Sequence, residues 1–194
     1  MSRRFSLLLI VVGLLLFGCA EEEAGQLAPR GVSALERLDE VLAAAGELLP
    51  TARLFEISGS TVEVQTFGGL CTNWSYRFYS AEDHQLLDLT LSRDGLITPG
   101  EPEPAPADFS VIPLEQESLS DSSAVLALLR DSAEIGFFEG AEPLSESYYL
   151  DGSSSNWLVS LTASGNSDNG EQLTMLTAVV SLEGEILEMR EGEL

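Results

Sequence analysis

The stretch "NWSYRFYSAEDHQLLDLTLS", residues 73–92, contains two runs of alternating apolar and polar side chains on either side of a short polar break. Large apolar residues stand at every second position of each run: Trp74, Tyr76, Phe78, then Leu87, Leu89 and Leu91. A period of two is typical of β-strands with one buried face. The turn-like break "AEDHQ" at 81–85 therefore predicts two neighbouring antiparallel strands with a shared apolar face.

A helix is predicted ahead of these strands, in "SALERLDEVLAAAGELLP" at 33–50. Ser33 and Glu36 match a capping box, and Pro50 is expected to stop the helix. Apolar residues recur along one helical stripe: Leu35, Leu38, Leu42, Ala45 and Leu49. Residues 32–98 are thus predicted to form a helix followed by an antiparallel meander.

The second half, residues 113–194, has the same order. The segment "SDSSAVLALLRDSAEIG" at 120–136 predicts a helix capped by Asp121 or a neighbouring serine and ending at Gly136. Its apolar stripe comprises Val125, Leu128, Leu129 and Ala133. Two alternating runs follow, with apolar positions at Trp157, Val159, Leu161 and Ala163, then Leu176, Ala178, Val180 and Leu182. "SGS" at 58, "DGSSSN" at 151 and "GNSDNGE" at 165 are turn-like.

Two details favour a duplication. The only tryptophans, Trp74 and Trp157, each follow an asparagine, and "DGLI" at 94–97 matches "EGEI" at 183–186. The predicted fold class is α+β, with two tandem repeats that each pack one helix on a meander. Between them, "PGEPEPAPAD" at 99–108 holds four of the eight prolines. Alternating proline favours extended polyproline II, so 99–112 is predicted to be a stiff spacer. Whether the halves pack together or hang apart on the spacer stays open.

The second half resembles the PepSY domain in its helix "AVLALLRDSA", its strand "NWLVSLTAS" and its closing "TAVVSLEGEILEM". The resemblance covers roughly residues 120 to 191. In the first half "SRDGLITPG" closes early, which predicts a very short last strand. The tandem arrangement also resembles the β-lactamase inhibitory protein and cystatin-like folds. These resemblances imply an inhibitory or binding module whose sheet has one face under a helix and the other exposed.

The amino end indicates where the protein resides. Arg3 and Arg4 precede thirteen uncharged residues, "FSLLLIVVGLLLF" at 5–17, a run too short to cross a bilayer and typical of a secretory signal. The residues around the end of this run, Leu16-Phe17-Gly18-Cys19, resemble the lipobox of bacterial lipoproteins. That resemblance implies cleavage between Gly18 and Cys19, removal of residues 1–18 and lipidation of the Cys19 thiol. Acidic residues 19–31 are predicted to be a flexible tether, and Ala20 favours the outer membrane by the same resemblance.

Composition narrows the choice of partners. The full chain has 9 Lys plus Arg and 32 Asp plus Glu, a net charge of −23, and every basic residue is arginine. Loss of Arg3 and Arg4 with the signal gives −25. Nucleic acid is excluded as a partner because phosphate binding needs a basic patch. Anionic headgroups repel such a chain, so membrane attachment is expected only through the lipid anchor.

No set of residues indicates catalysis. His84 is the only histidine, and it shares the turn "SAEDHQ" with Ser80 and Asp83, where neighbours cannot adopt the geometry of a triad. One histidine and one free cysteine do not complete a zinc site. Asn166, Asp168 and Glu171 are weak calcium candidates, since such loops are usually plain hairpin turns. Cys71 is read either as a reactive or disulfide-forming thiol or as a small buried apolar residue.

The sequence therefore predicts a non-catalytic lipoprotein of the bacterial cell envelope, without a cofactor, at the outer membrane and facing the periplasm or the cell surface. It is expected to bind or inhibit an envelope protein. A calcium- or small-ligand-binding lipoprotein is the alternative, and an envelope hydrolase comes third. Most aromatic residues near the strands are expected to pack under the helices, while a minority on the open sheet face form a binding surface. The aromatic residues considered for both groups are Tyr79, Phe137, Phe138, Tyr148 and Tyr149.

Overall fold

A computed structural model describes residues 31–194 except 63, 65, 133–135, 139–141 and 168–169. Its elements in chain order are α1 Leu38–Leu48, β1 Arg53–Val62, β2 Asn73–Ser80, β3 Gln85–Ser92, β4 Ile97–Pro99, β5 Glu103–Pro104, α2 Ser122–Asp131, β6 Glu142–Asp151, β7 Asn156–Ser167, β8 Gly170–Ser181 and β9 Ile186–Glu193. Short 3-10 helices occupy Gln116–Ser118 and Gly136–Phe138. The fold class is α+β, as predicted. The lipobox residues Leu16, Phe17, Gly18 and Cys19 lie outside the described residues.

The nine strands of the described residues belong to one antiparallel sheet. Its order is β4-β3-β2-β1-β6-β7-β8-β9, and β5 also pairs with β3. The central pair, β1 with β6, joins the two halves of the chain and places Gly59 opposite Tyr148. The prediction of two tandem repeats, each with its own helix and meander, is therefore not supported. Pairing β1 with β6 satisfies two strand edges that separate units would leave open.

The core is continuous as well. One hydrophobic cluster contains buried residues of both helices and of strands from both halves. It lies on the face of the sheet that the helices cover. Strand β4 has only three residues, which confirms the very short last strand expected for the first half.

The stretch predicted to be a turn at 58–60 lies in the middle of β1. Ser58, Gly59 and Ser60 pair with Ser75, Trp74 and Asn73 of β2. A Cβ atom on Gly59 would lie 2.3 Å from Cε3 of Trp74, so the indole occupies the space of the missing side chain. Glycine is required here for close packing rather than for a turn, which is why the prediction was wrong.

The two tryptophans and Tyr148 form an aromatic cluster over the central strands. Ring centroids are 5.9 Å apart for Trp74 and Tyr148 and 6.4 Å apart for Trp74 and Trp157. The Trp74 indole donates to the Val32 carbonyl at 2.7 Å, and the Trp157 indole donates to the Ser120 carbonyl at 2.9 Å. Each tryptophan thus fixes the segment that leads into a helix.

Helix α1 begins later than predicted. The Ser33 N–H does donate to the Glu36 carboxylate at 3.3 Å, but residues 33–37 form turns and the helix starts at Leu38. The next two amides instead donate across the molecule, Ala34 to Ser122 Oγ and Leu35 to Asp121 Oδ1. Tertiary contacts have therefore replaced the local cap. Helix α2 is capped by Asp121, as predicted, and ends at Asp131, before the expected Gly136.

The proline-rich segment, which was predicted to be a stiff spacer, lies along the edge of the sheet. Its residues contribute to β4 and form β5 on the outer edge of β3. The Ala105 amide donates to the His84 carbonyl at 2.9 Å, and the Leu114 amide donates to the Leu54 carbonyl at 2.8 Å. Proline has no N–H to offer a further strand, so it suits a sheet edge.

The turns at 94–97 and 183–186 share one geometry, as their sequences predicted. Gly95 and Gly184 have φ of 79° and 82°, values that glycine adopts without steric cost. The Ser92 amide donates to the Leu96 carbonyl at 3.0 Å, and the Ser181 amide donates to the Glu185 carbonyl at 2.8 Å.

Two glycine-to-alanine substitutions should change stability in opposite directions. Gly59→Ala forces a methyl group into the Trp74 ring and should lower the free energy of unfolding by about 1–3 kcal/mol. Gly46→Ala adds a methyl group to an α1 site with nothing within 4 Å, and should raise it by about 1 kcal/mol. Urea denaturation of both variants measures this. Equal effects of the two changes would contradict the packing role assigned to Gly59.

Candidate functional site

Among the residues that the structure describes, both helices pack on one face of the sheet and neither covers the other face. Along β2 the side chains of Trp74, Tyr76 and Phe78 are buried, whereas those between them alternate onto the opposite side. We call that uncovered side of the sheet the open face. The same alternation holds along β3, where Leu87, Leu89 and Leu91 are buried.

Two rows of uncharged side chains, most of them small, cross the centre of the open face. Strand registers align the first, the central row: Thr90, Ser75, Ser58, Tyr149 and Leu158. They align the second, the serine row: Ser92, Asn73, Ser60, Ser147 and Ser160. Neighbouring side chains in a row are about 5 Å apart, the spacing of strands. The rows form an uncharged strip five strands wide in a chain of net charge −23.

Hydroxyl groups of these rows are available to a ligand. Elsewhere serine side chains serve the fold: Ser122 Oγ donates to the Gly69 carbonyl at 2.7 Å, and Ser120 Oγ donates to the Leu182 carbonyl at 2.8 Å. Within the described part of the chain, the hydroxyls of Ser58, Ser60 and Ser75 have no such partner. A hydroxyl both donates and accepts, so the rows can match either polarity of a bound group.

A shallow depression of about 410 Å³ lies between the two rows. Gly59, Trp74 and Tyr148 contribute to its lining, and because they face the core between the two rows, their backbone forms the floor. Serine side chains from both rows form its sides, together with Tyr149 and Leu158. The lack of a side chain on the open side of these floor residues makes the centre of the face accessible.

Tyr149 and Leu158 are the large apolar side chains of this strip. They lie opposite one another on β6 and β7, and their side chains are 38% and 47% exposed. The Tyr149 hydroxyl donates to Glu56 Oε2 at 3.2 Å, which fixes the ring. Tyr149 is thus a held, partly exposed aromatic ring at the border between the central row and the charged side chain of Glu56.

Charged side chains form a third row beside the central row. This acidic row consists of Asp88, Arg77, Glu56 and Asp151, aligned by register. Arg77 lies 3.1 Å from Asp88 and 3.3 Å from Glu56. The pKa of Arg77 is raised: burial lowers it, but the two carboxylates outweigh that effect. One guanidinium among three carboxylates leaves this row net negative.

Of the aromatic residues considered from sequence, only some lie under the helices. Tyr148 and Phe137 are buried in the core, and Phe138 packs edge-on to Phe137 with centroids 5.4 Å apart. Tyr79 packs against Phe109 at 5.1 Å, and Tyr149 lies on the open face.

The turn at 80–84 does not assemble a catalytic triad. Ser80 Oγ donates to Asp83 Oδ2 at 2.9 Å. His84 Nδ1 instead lies 3.0 Å from the Tyr79 hydroxyl, and its Nε2 lies 2.9 Å from the Pro106 carbonyl. Since a carbonyl only accepts, Nε2 carries a proton and the ring tethers the proline-rich segment. His84 therefore holds the fold at this point.

Cys71 is buried, and its backbone forms an isolated antiparallel β-bridge with the backbone of Val32. Burial, and then the nearby Glu146 carboxylate, raise the pKa of its thiol far above the usual value, so the reactive thiolate does not form. Of the two interpretations, the buried inert residue fits this position. Glu146 is itself buried and accepts from the Gly69 amide at 3.1 Å and the Tyr148 hydroxyl at 2.9 Å.

The structure does not test the predicted calcium site. Asp168 lies outside the described residues, and the side chains of Asn166 and Glu171 are likewise not described. Within the described parts of residues 31–194, no three His, Cys, Asp or Glu side chains form a group that holds a metal ion.

Serine residues of the open face were missed by sequence reasoning. The available signal was that many polar positions of the alternating strands, such as Asn73, Ser75 and Thr90, are uncharged in a chain with 21% charged residues. No helix in the described region has the length and apolarity needed to span a membrane.

Comparison with known protein families, curated proteins and solved structures finds no match to this chain.

Replacing Glu146 should separate its hydrogen-bonding role from its charge. Glu146→Ala leaves the Gly69 amide and the Tyr148 hydroxyl unpaired and should cost about 2–4 kcal/mol of unfolding free energy. Burial raises the pKa of Glu146, so the folded protein keeps this proton to higher pH than the unfolded chain does. Wild-type stability relative to Glu146→Gln should therefore fall as pH rises above about 4.3. Urea denaturation between pH 4 and 8 measures the difference, and a pH-independent difference would contradict the assignment.

Proposed function

We propose that this protein is a non-catalytic, lipid-anchored protein of the bacterial envelope that binds a protein partner through the open face. Inhibition of that partner is one form the binding can take. The observation that carries the proposal is the uncharged strip of Ser, Asn and Tyr side chains on the face that neither helix of the described region covers. The experiment that tests it compares substitutions on this strip with a matched one elsewhere.

The composition of the strip supports a protein as the partner. Antibody combining sites are enriched in Tyr, Ser, Gly and Asn, where tyrosine provides rigid contact area and the small residues provide adaptable hydrogen bonds. The open face combines Tyr149 with Ser58, Ser60, Asn73 and the glycine floor at Gly59. Charged residues are also depleted at the centre of protein interfaces, as they are from these two rows.

The position of the anchor is compatible with this use of the open face. The tether enters the fold through Val32, whose carbonyl accepts from the Trp74 indole on the covered side of the sheet. Thirteen residues, 19–31, span at most about 45 Å when extended. A protein anchored at Cys19 therefore reaches partners up to about that distance from the membrane. Outer-membrane attachment facing the periplasm or the cell surface is part of the proposal.

A small-ligand-binding lipoprotein is the second candidate. It is favoured by the depression of about 410 Å³ between the rows. Ligand pockets usually have a comparable volume but enclose their ligand, and this depression is open. The protein partner is therefore preferred.

A gene duplication is proposed for the origin of the fold. Support comes from the shared turn geometry of Gly95 and Gly184 and from the two indoles that donate to segments preceding the helices. Superposition of residues 32–99 on 113–193 tests it.

Substitutions at two exposed apolar sites should affect binding differently. Tyr149→Asp puts a charge at the centre of the strip and should reduce partner recovery from intact envelopes by at least about tenfold. Leu48→Asp changes a residue of similar exposure, 44%, on α1 and should leave recovery unchanged. Quantitative mass spectrometry after crosslinking measures both, with melting curves to show that both variants fold. Equal recovery with both would disprove binding through the open face.

The anchor is tested separately. Cys19→Ala removes the thiol that takes the lipid, and the protein should move from the membrane fraction to the soluble fraction, because no other attachment is proposed. Fractionation with immunoblotting measures this. A Cys19→Ala protein that stays membrane-bound would show that the lipobox interpretation is wrong.

A further inference from the structure

We infer that the partner is a protein with a basic flank, which docks with an uncharged patch on the central and serine rows and its basic flank over the acidic row. This inference rests on the proposed function and adds the chemistry and orientation of the partner. It is independent of which protein the partner is.

The acidic row gives the orientation. Asp88, Glu56 and Asp151 lie on one side of the central row, and Arg77 is the single cation among them. Arg77 is already engaged by two of these carboxylates, at 3.1 and 3.3 Å, so it is not available to an anion. On the other side of the central row, the serine row carries no charge. Across these three rows the open face thus changes from net negative to neutral along its strands, and one further cation, Arg53, lies opposite Tyr79 in the row beyond the acidic row.

The nearby turn between β8 and β9 adds to the negative side. It follows Ser181, which pairs with Asn156 at the same end of the sheet as Asp151, and it contains Glu183 and Glu185. An acidic partner would be repelled here, whereas a basic flank gains from every one of these carboxylates. The net charge of −23 extends this preference to long range and favours fast association with a basic protein.

The central row and the serine row determine which chemical groups the partner presents at the centre of the interface. Burying a charge against uncharged hydroxyls would cost its hydration without a counter-charge. Amides and hydroxyls of a partner, by contrast, can exchange hydrogen bonds with Ser58, Ser60 and Asn73. Tyr149 and Leu158 provide the apolar contact between them.

Site-specific photo-crosslinking in the cells that make the protein tests this inference. p-Benzoylphenylalanine is placed at Ser60 and Ser160 on the open face, and at Glu47 on exposed α1 as a matched control, in the full lipidated chain. The expected result is a protein crosslinked from both serine positions and at least about tenfold less from Glu47. That protein should have a basic isoelectric point, and crosslinking should fall severalfold between low and physiological salt.

The purified pair then tests the orientation. Asp88→Lys should slow association about three- to tenfold, while Glu47→Lys should change it less than about twofold. Melting curves confirm that each variant is folded. Equal slowing by both variants would overturn the docking orientation, since it would reflect net charge alone.

Remaining outcomes separate this inference from the proposed function. No crosslink at either serine position, or equal crosslinking from Glu47, disproves binding through the open face and the inference with it. A crosslink from the serine positions to an acidic protein, to a second copy of this chain or to a non-protein polymer overturns the basic partner. If the crosslinked molecule is an acidic protein or a second copy of this chain, the open face remains a protein-binding surface.

Discussion

The fit of Trp74 over Gly59 is the constraint on which the rest of the structure depends. The indole lies where any larger residue on β1 would place its side chain, and it reaches both Tyr148 and Trp157 from there. Its N–H and that of Trp157 hold the segments leading to both helices. Because residues of both halves meet in this cluster, the two helices cover one common face and a single core results.

The two sides of the sheet have separate roles as a consequence. On the covered side, polar groups are used by the fold: Glu146 holds the Gly69 amide, and Ser122 links Gly69 to Ala34. On the open face, serine hydroxyls of the central strands are left to solvent or to a partner. The buried aromatic and aliphatic residues of the core lie on the covered side, whereas Tyr149, Leu158 and Val62 are exposed on the open face.

Periodicity predicted β2, β3, β7 and β8 well because their apolar positions are regular, as in Trp74, Tyr76 and Phe78 of β2. It failed at β1, where Ser-Gly-Ser has the composition of a turn and its strand role depends on a tryptophan fourteen or more residues away. The start of α1 failed for the same kind of reason, since its first amides bond to Asp121 and Ser122 in the other half. The open face was expected, but its serine rows were not, because only the register between strands aligns Ser60 with Ser147.

Pairing of β1 with β6 has a consequence for how the protein is made. The contact joins residues about ninety positions apart, so the first half of the sheet waits with a ten-residue open edge until β6 has emerged. Pairing of such distant strands is slow and exposes edges to aggregation. Serine, glycine and charged residues along β1, including Arg53 and Glu56, make that waiting edge a poor template for other chains. The polar residues that make the finished open face hydrophilic thus also protect the unpaired edge of β1 while the chain folds.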